Sequence, residues 1–185
     1  STQQGAELQS ERTVLCAVSN NTANTLVNGT VVRFSGAYDV GANSDPTVLP
    51  HIANGTVHGL YTVGVLTVDV APNSYGRATW IGKVHSVDTT GTDVGETWVD
   101  GDILYVSPTN AGKMTKVKPT APNIVISVAA VLHVDATNGI LLVRPTIYPR
   151  LYYGSFYDTT TQTTAANTAT SVKINGTQIA SGFHL

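Results

Sequence analysis

Between Gly101 and Ile147 short apolar runs are separated by joints that carry proline, glycine or an asparagine-glycine pair. That rhythm leaves room for short strands and none for a long helix. Ile103, Tyr105 and Ser107 alternate with Leu104 and Val106, so Gly101–Ser107 fits the period of two of a strand. Pro108–Gly112 supplies a reversal, because proline fixes φ and glycine accepts a positive one. Lys113–Lys118 alternates as a half-exposed strand would. Pro119–Asn123 breaks the pairing, since neither of its prolines can donate to a ladder. Ile124–Val134 is almost wholly apolar, too short to span a membrane, and reads as a buried strand. Asn138-Gly139 marks a type I′ hairpin, from which Ile140–Val143 returns.

The preceding residues follow the same grammar. Thr13–Ser19 reads as a strand and Asn20–Asn24 as a polar turn. In Leu26–Ser35, Asn28-Gly29 is a turn and Thr30–Ser35 a strand. Gly36–Ile52 reads as a long loop, and Asn54-Gly55 opens a hairpin. Leu60–Val70 reads as a strand with a bulge at Gly64. Pro72–Gly76 turns, Arg77–Val87 runs back, and Asp88–Gly95 is a loop. The prediction is an all-β protein: a sandwich or barrel-like domain of short antiparallel strands with an extended C-terminal segment. The β domain spans Thr13–Ile147, with a polar arm, Ser1–Arg12, before it and an aromatic and threonine-rich segment, Tyr148–Leu185, after it.

An internal repeat is visible within the β domain. Asn28–Ser35 (NGTVVRFS) matches Asp100–Ser107 (DGDILYVS), and Val63–Gly76 matches Ala129–Gly139, at offsets of about 72 and 66 residues. The match divides the domain into two related β units, Thr13–Thr89 and Trp98–Ile147. The final segment carries Tyr148, Tyr152, Tyr153, Phe156 and Tyr157, then a nearly uncharged Thr/Ala/Asn stretch, then an expected hairpin about Asn175-Gly176. It is too short to bury a core alone, so its order is expected to come from a neighbouring chain.

Charged residues make up 12% of the chain, about half the usual share, so Thr, Ser, Asn and Gly must solvate the surface. That habit suits an assembled, extracellular or virion-borne β protein. With a net charge of −2 there is no basic footprint for nucleic acid. The densest basic cluster, Lys113, Lys116 and Lys118, reads as a solvated strand face. No transmembrane run, signal peptide or lipidation motif is visible, so membrane insertion is not expected.

Candidate chemistry is sparse, and no cofactor or metal is expected. His51, His58, His85, His133 and His184 show no metal-ligand spacing. Asp88, Asp93, Glu96, Asp100 and Asp102 make an oxygen-rich segment without the EF-hand pattern, and read as turn carboxylates. The glutamates Glu7, Glu11 and Glu96 offer no pair for sugar hydrolysis. Asn28, Asn54 and Asn175 each stand in Asn-Gly-Thr, first of all a turn signal. Cys16 reads as a small buried hydrophobe. Trp80, Trp98, Tyr75 and Tyr105 read as core, or else as a face on which a sugar would stack. The expectation is a non-enzyme.

The stretch Gly101–Val143, with LYVSPTNAGKMTKVKPTAPN and HVDATNGILLV, resembles a β-rich segment of tail-fibre and related appendage proteins of tailed bacteriophages. Tyr153–Thr164 (YGSFYDTTTQTT) looks like the entry to the C-terminal head domain of such fibres, and Asn73–Thr89 is similar to the part upstream. The resemblance covers roughly half of the chain. It implies a structural virion protein, a homotrimer that contacts other virion proteins of the tail or capsid and a host surface glycan, with Tyr148, Tyr152, Tyr153, Phe156 and Tyr157 at the interface between copies. A capsid decoration or head-fibre protein and a carbohydrate-binding module are the alternatives.

Overall fold

The computed structural model describes residues 13–37, 45–56, 59–147, 153–157 and 176–181. The protein is all-β. Nine strands of the larger unit, Ser1–Tyr148, form one continuous sheet: β1 (Val14–Asn20), β2 (Val31–Ala37), β3 (Pro46–Pro50), β4 (Thr62–Leu66), β5 (Ser74–Val87), β6 (Ile103–Val106), β7 (Met114–Thr115), β8 (Ile126–His133) and β9 (Gly139–Ile147). The described helices are two single 3-10 turns, Gly59–Tyr61 and Thr92–Val94. The smaller unit, Pro149–Leu185, contains β10 (Tyr153–Tyr157) paired antiparallel with β11 (Gly176–Ser181).

The order along the large sheet is β1-β3-β2-β4-β5-β9-β8-β6-β7, and β1 also pairs with β5. The extra pairing closes β1, β3, β2, β4 and the first half of β5 into a five-stranded ring. The ring is shut on its far side by a single parallel bridge, Ser19 to Thr47. Its interior holds Val18, Leu26, Val32, Val48, Leu66, Val70 and Ala78, with Cys16 packed against them. These are aliphatic side chains, four of them valines, with no aromatic among them.

The second half repeats the plan. The last residues of β5 pair antiparallel with β9, as β1 pairs with the first half of β5. β6 then takes the place of β2, β7 of β3, β8 of β4 and β9 of β5. The matching extends to hydrogen bonds: Gly29 N–H donates to Leu66 O and Leu66 N–H to Thr30 O, while Gly101 N–H donates to Val131 O and Val131 N–H to Asp102 O. It also extends to Leu-Val-Asn-Gly (Leu26–Gly29) and Trp-Val-Asp-Gly (Trp98–Gly101). In each, the first residue is buried, the second exposed and the glycine has positive φ.

Gly82 marks where β5 passes from one half to the other. Its φ is +137°, and a Cβ there would lie 2.8 Å from the Thr13 Cα, so a larger residue would both strain the backbone and displace β1. Val31 and Val65, on the outer side of the ring, pack into the core of the second half with Leu104, Ile126, Val128, Val131, Leu141 and Val143.

Several expectations change. Residues 38–44 lie outside those described, but the rest of the expected loop Gly36–Ile52 contains β3. Pro46 and Pro50 bracket the strand and hid it, although terminal prolines leave the ladder between them intact. Asn54-Gly55 makes a turn in which Asn54 Oδ1 accepts from the Thr56 N–H. It opens no hairpin, because β2 lies between β3 and β4. The strand expected over Leu60–Val70 is confined to Thr62–Leu66, with the bulge present at Gly64. Lys113–Lys118 yields only Met114–Thr115, because the next two N–H groups are taken by side chains. The described part of the expected C-terminal hairpin, β11, pairs with β10.

Candidate functional site

The densest polar cluster centres on Glu96, held in the loop between β5 and β6. Trp98 Nε1–H donates to Glu96 Oε2 at 2.7 Å and the Lys116 N–H donates to the same oxygen at 2.8 Å. The Thr115 hydroxyl donates to Oε1. The Lys116 ammonium reaches Thr97 O at 2.5 Å and Asp102 at 3.6 Å. Burial by itself would raise the Glu96 pKa. The hydrogen bonds from Thr115, Lys116 and Trp98, with the Lys116 charge, outweigh it and hold the carboxyl below its ordinary value. An ionised carboxylate filled with donors has no proton to give and little basicity to offer. Here it ties the outer edge of β7 to the loop, occupying an N–H that an incoming strand would need.

Beside this cluster lies an open groove of about 330 Å³, lined among others by Glu96, Ser107, Thr109, Thr115, Lys118 and Asn123. The Ser107 hydroxyl already accepts from the Thr109 and Asn110 N–H groups. The groove is thus lined by amide, hydroxyl and ammonium groups.

The other carboxylates of the segment are dispersed. Asp88 accepts from the Thr90 N–H and hydroxyl, Asp93 pairs with Lys113 at 2.7 Å, Asp100 accepts from the Val134 N–H and Asp102 from the Val99 N–H. Asp135, held below the carboxylate range by the Asn138 and Thr137 N–H groups and the Thr137 hydroxyl, closes the turn before β9. Among the described residues no three His, Cys, Asp or Glu side chains converge as a metal would need.

The four aromatics read as core, or else as one sugar-stacking face, are divided: only Trp98 is buried, and Tyr105 on β6 is half-buried. Trp98 is 4% exposed and belongs to the second core; its indole packs against Gly91, where a Cβ would come within 2.7 Å of the ring. Tyr75 (62% exposed) and Trp80 (36%) remain on the surface of β5. Outward from the second half, Ile103, Ala130, Leu142 and Lys83 form one cross-strand row, with Ile103 and Leu142 exposed.

Of the residues expected between copies, Tyr153, Phe156 and Tyr157 lie on β10, in register with Ser181, Thr177 and Gly176; Tyr148 and Tyr152 fall outside the described residues. His58 and His184 also fall outside them, His85 and His133 are exposed, and His51 is fully buried. Cys16 is half-buried, its thiol raised by burial and then by Asp45. No described helix is long and apolar enough to cross a membrane. No protein-family model, curated protein or solved structure matches this chain.

Sequence reasoning missed Glu96 as a hub and His51 as a core residue. Nothing near Glu96 in the chain announces that its partners lie at Thr115 and Lys116. His51 was obscured by the proline before it.

Proposed function

We propose that this chain is a non-catalytic structural protein of a tailed-phage virion, a tail-fibre or tail-appendage subunit that helps attach the particle to its host, and that it assembles as a homotrimer. The observation that carries the reading is the division into a filled β unit and a C-terminal unit whose described strands are only β10 and β11. A two-stranded pair is marginal in water without further packing, and on this reading other copies supply that packing. The carboxylates support a scaffold role, since they close turns and join strands. The resemblance of Tyr153–Thr164 to a fibre motif supports the virion.

Sedimentation equilibrium of the whole chain at micromolar concentration tests the assembly. A trimer is expected, dissociating when Tyr153, Phe156 and Tyr157 are all changed to alanine; a monomeric parent chain overturns it. Gold-labelled antibody on intact particles tests the place. Label on the tail is expected, and label over the head would make the chain a capsid decoration protein. Exposed Tyr75 and Trp80 favour a second reading, a carbohydrate-binding module. Glycan binding by the isolated chain that is lost in Trp80→Ala would establish it.

A further inference from the structure

We propose that the seam where residues 50–53 join the two halves of the β unit is an acid-sensitive latch, with His51 as its trigger. The segment follows β3. His51 N–H donates to Val31 O at 2.9 Å, His51 O accepts from Gly112 N–H at 2.7 Å, and Val31 N–H donates to Gly112 O at 2.9 Å. Two residues on, Ala53 N–H donates to Ser107 O at 3.0 Å and Ala53 O accepts from Ile124 N–H at 2.9 Å. One short segment thus fastens β2 of the ring to the turn after β6 and to the entry of β8.

The imidazole at the centre of this seam is 0% exposed, and neither ring nitrogen meets a hydrogen-bond partner among the described residues. A neutral imidazole has one donor and one acceptor, and burying both unpaired is a cost that a leucine would avoid. The charged form fares far worse. β3 and the Pro108–Gly112 turn contribute no ionisable side chain. β2 contributes Arg33, a cation, and Lys113, next along the chain, is paired with Asp93. Burial first, and Arg33 second, lower the His51 pKa to about 4.

The sign follows directly. Once the seam opens, His51 regains the ordinary value of about 6.5 and takes a proton more readily than in the closed form. The latch is therefore fully closed above about pH 6.5 and loses strength as pH falls towards 4, with the closed-to-open ratio shifting by up to about 300-fold.

Amide hydrogen exchange on the whole chain, corrected for the intrinsic pH dependence, tests this. Between pH 7.5 and 5.0, protection at Val31, Ala53 and Gly112 is expected to fall about 30-fold. Leu26 and Val70, whose amides bond each other away from the seam and whose side chains lie in the ring's core, are expected to hold. His51→Gln, which cannot titrate, is expected to keep seam protection equal at both pH values. Equal losses in parent and variant, or a uniform loss across the chain, overturn the proposal. So does an NMR titration of the parent chain in which the His51 ring titrates near 6.5, a measurement that stands even if the variant fails to fold.

Discussion

The first and second halves of the β unit use one strand plan and close it differently. In the first, seven aliphatic residues fill the ring, and β1 reaches β3 through the Ser19–Thr47 bridge. In the second, the last part of β5 pairs with β9, while β7 has β6 as its only strand neighbour among the described residues. Where the first half places Leu26, the second places Trp98, and its core also holds Met114, Leu104, Ile126 and Leu141. Val87, Trp98 and Met114 line the gap between β5 and β7. A plan that shuts around aliphatic side chains alone stays open where an indole and a methionine join them, and side-chain chemistry from Glu96 seals the edge that backbone pairing leaves. The comparison teaches that core volume, as much as strand order, decides whether a small ring closes.

The largest test of that difference is a pair of substitutions at the matched positions. Trp98→Ala removes the gap-filling indole and one donor to Glu96, and is expected to cost about 3–5 kcal/mol in urea unfolding; Leu26→Ala is expected to cost about 2–3 kcal/mol. Equal costs would break the comparison. Glu96→Gln comes next, with an expected loss of about 1 kcal/mol at pH 7, because donors now face a neutral amide. The Glu96 carboxyl is lowered in the fold, so its contribution is present above the unfolded value near 4.5 and fades as pH falls through the folded one. Melting temperatures of parent and variant should therefore converge in acid. The smallest effect is Lys113→Ala, which removes the exposed pair with Asp93. It should cost under about 0.5 kcal/mol, and less in high salt.

Local signals were legible where a residue's own geometry carries them. Asn28-Gly29 and Asp100-Gly101 turn as written and Gly64 bulges β4. Asn138-Gly139 is not the type I′ turn its dipeptide signals: neither residue has positive φ, and Gly139 already pairs with Val87 as the first residue of β9. The Asn28–Ser35 and Asp100–Ser107 match falls on β2 and β6, strands that hold equivalent places in the sheet. β3 was not legible, because its prolines carry a turn signal while leaving a three-residue ladder between them. Nor was the sharing of Trp98 out of the aromatic set, since exposure depends on what packs against Gly91.

By itself the sequence determined an all-β chain, because alternation, turn pairs and the lack of helical periodicity act within a few residues. The tertiary structure decided which strands are neighbours, where β5 changes partners, that Glu96 serves β7 and that His51 is sealed in the seam. Those outcomes depend on contacts between residues far apart in the chain and on the volumes that meet there, neither of which is expressed in any one stretch.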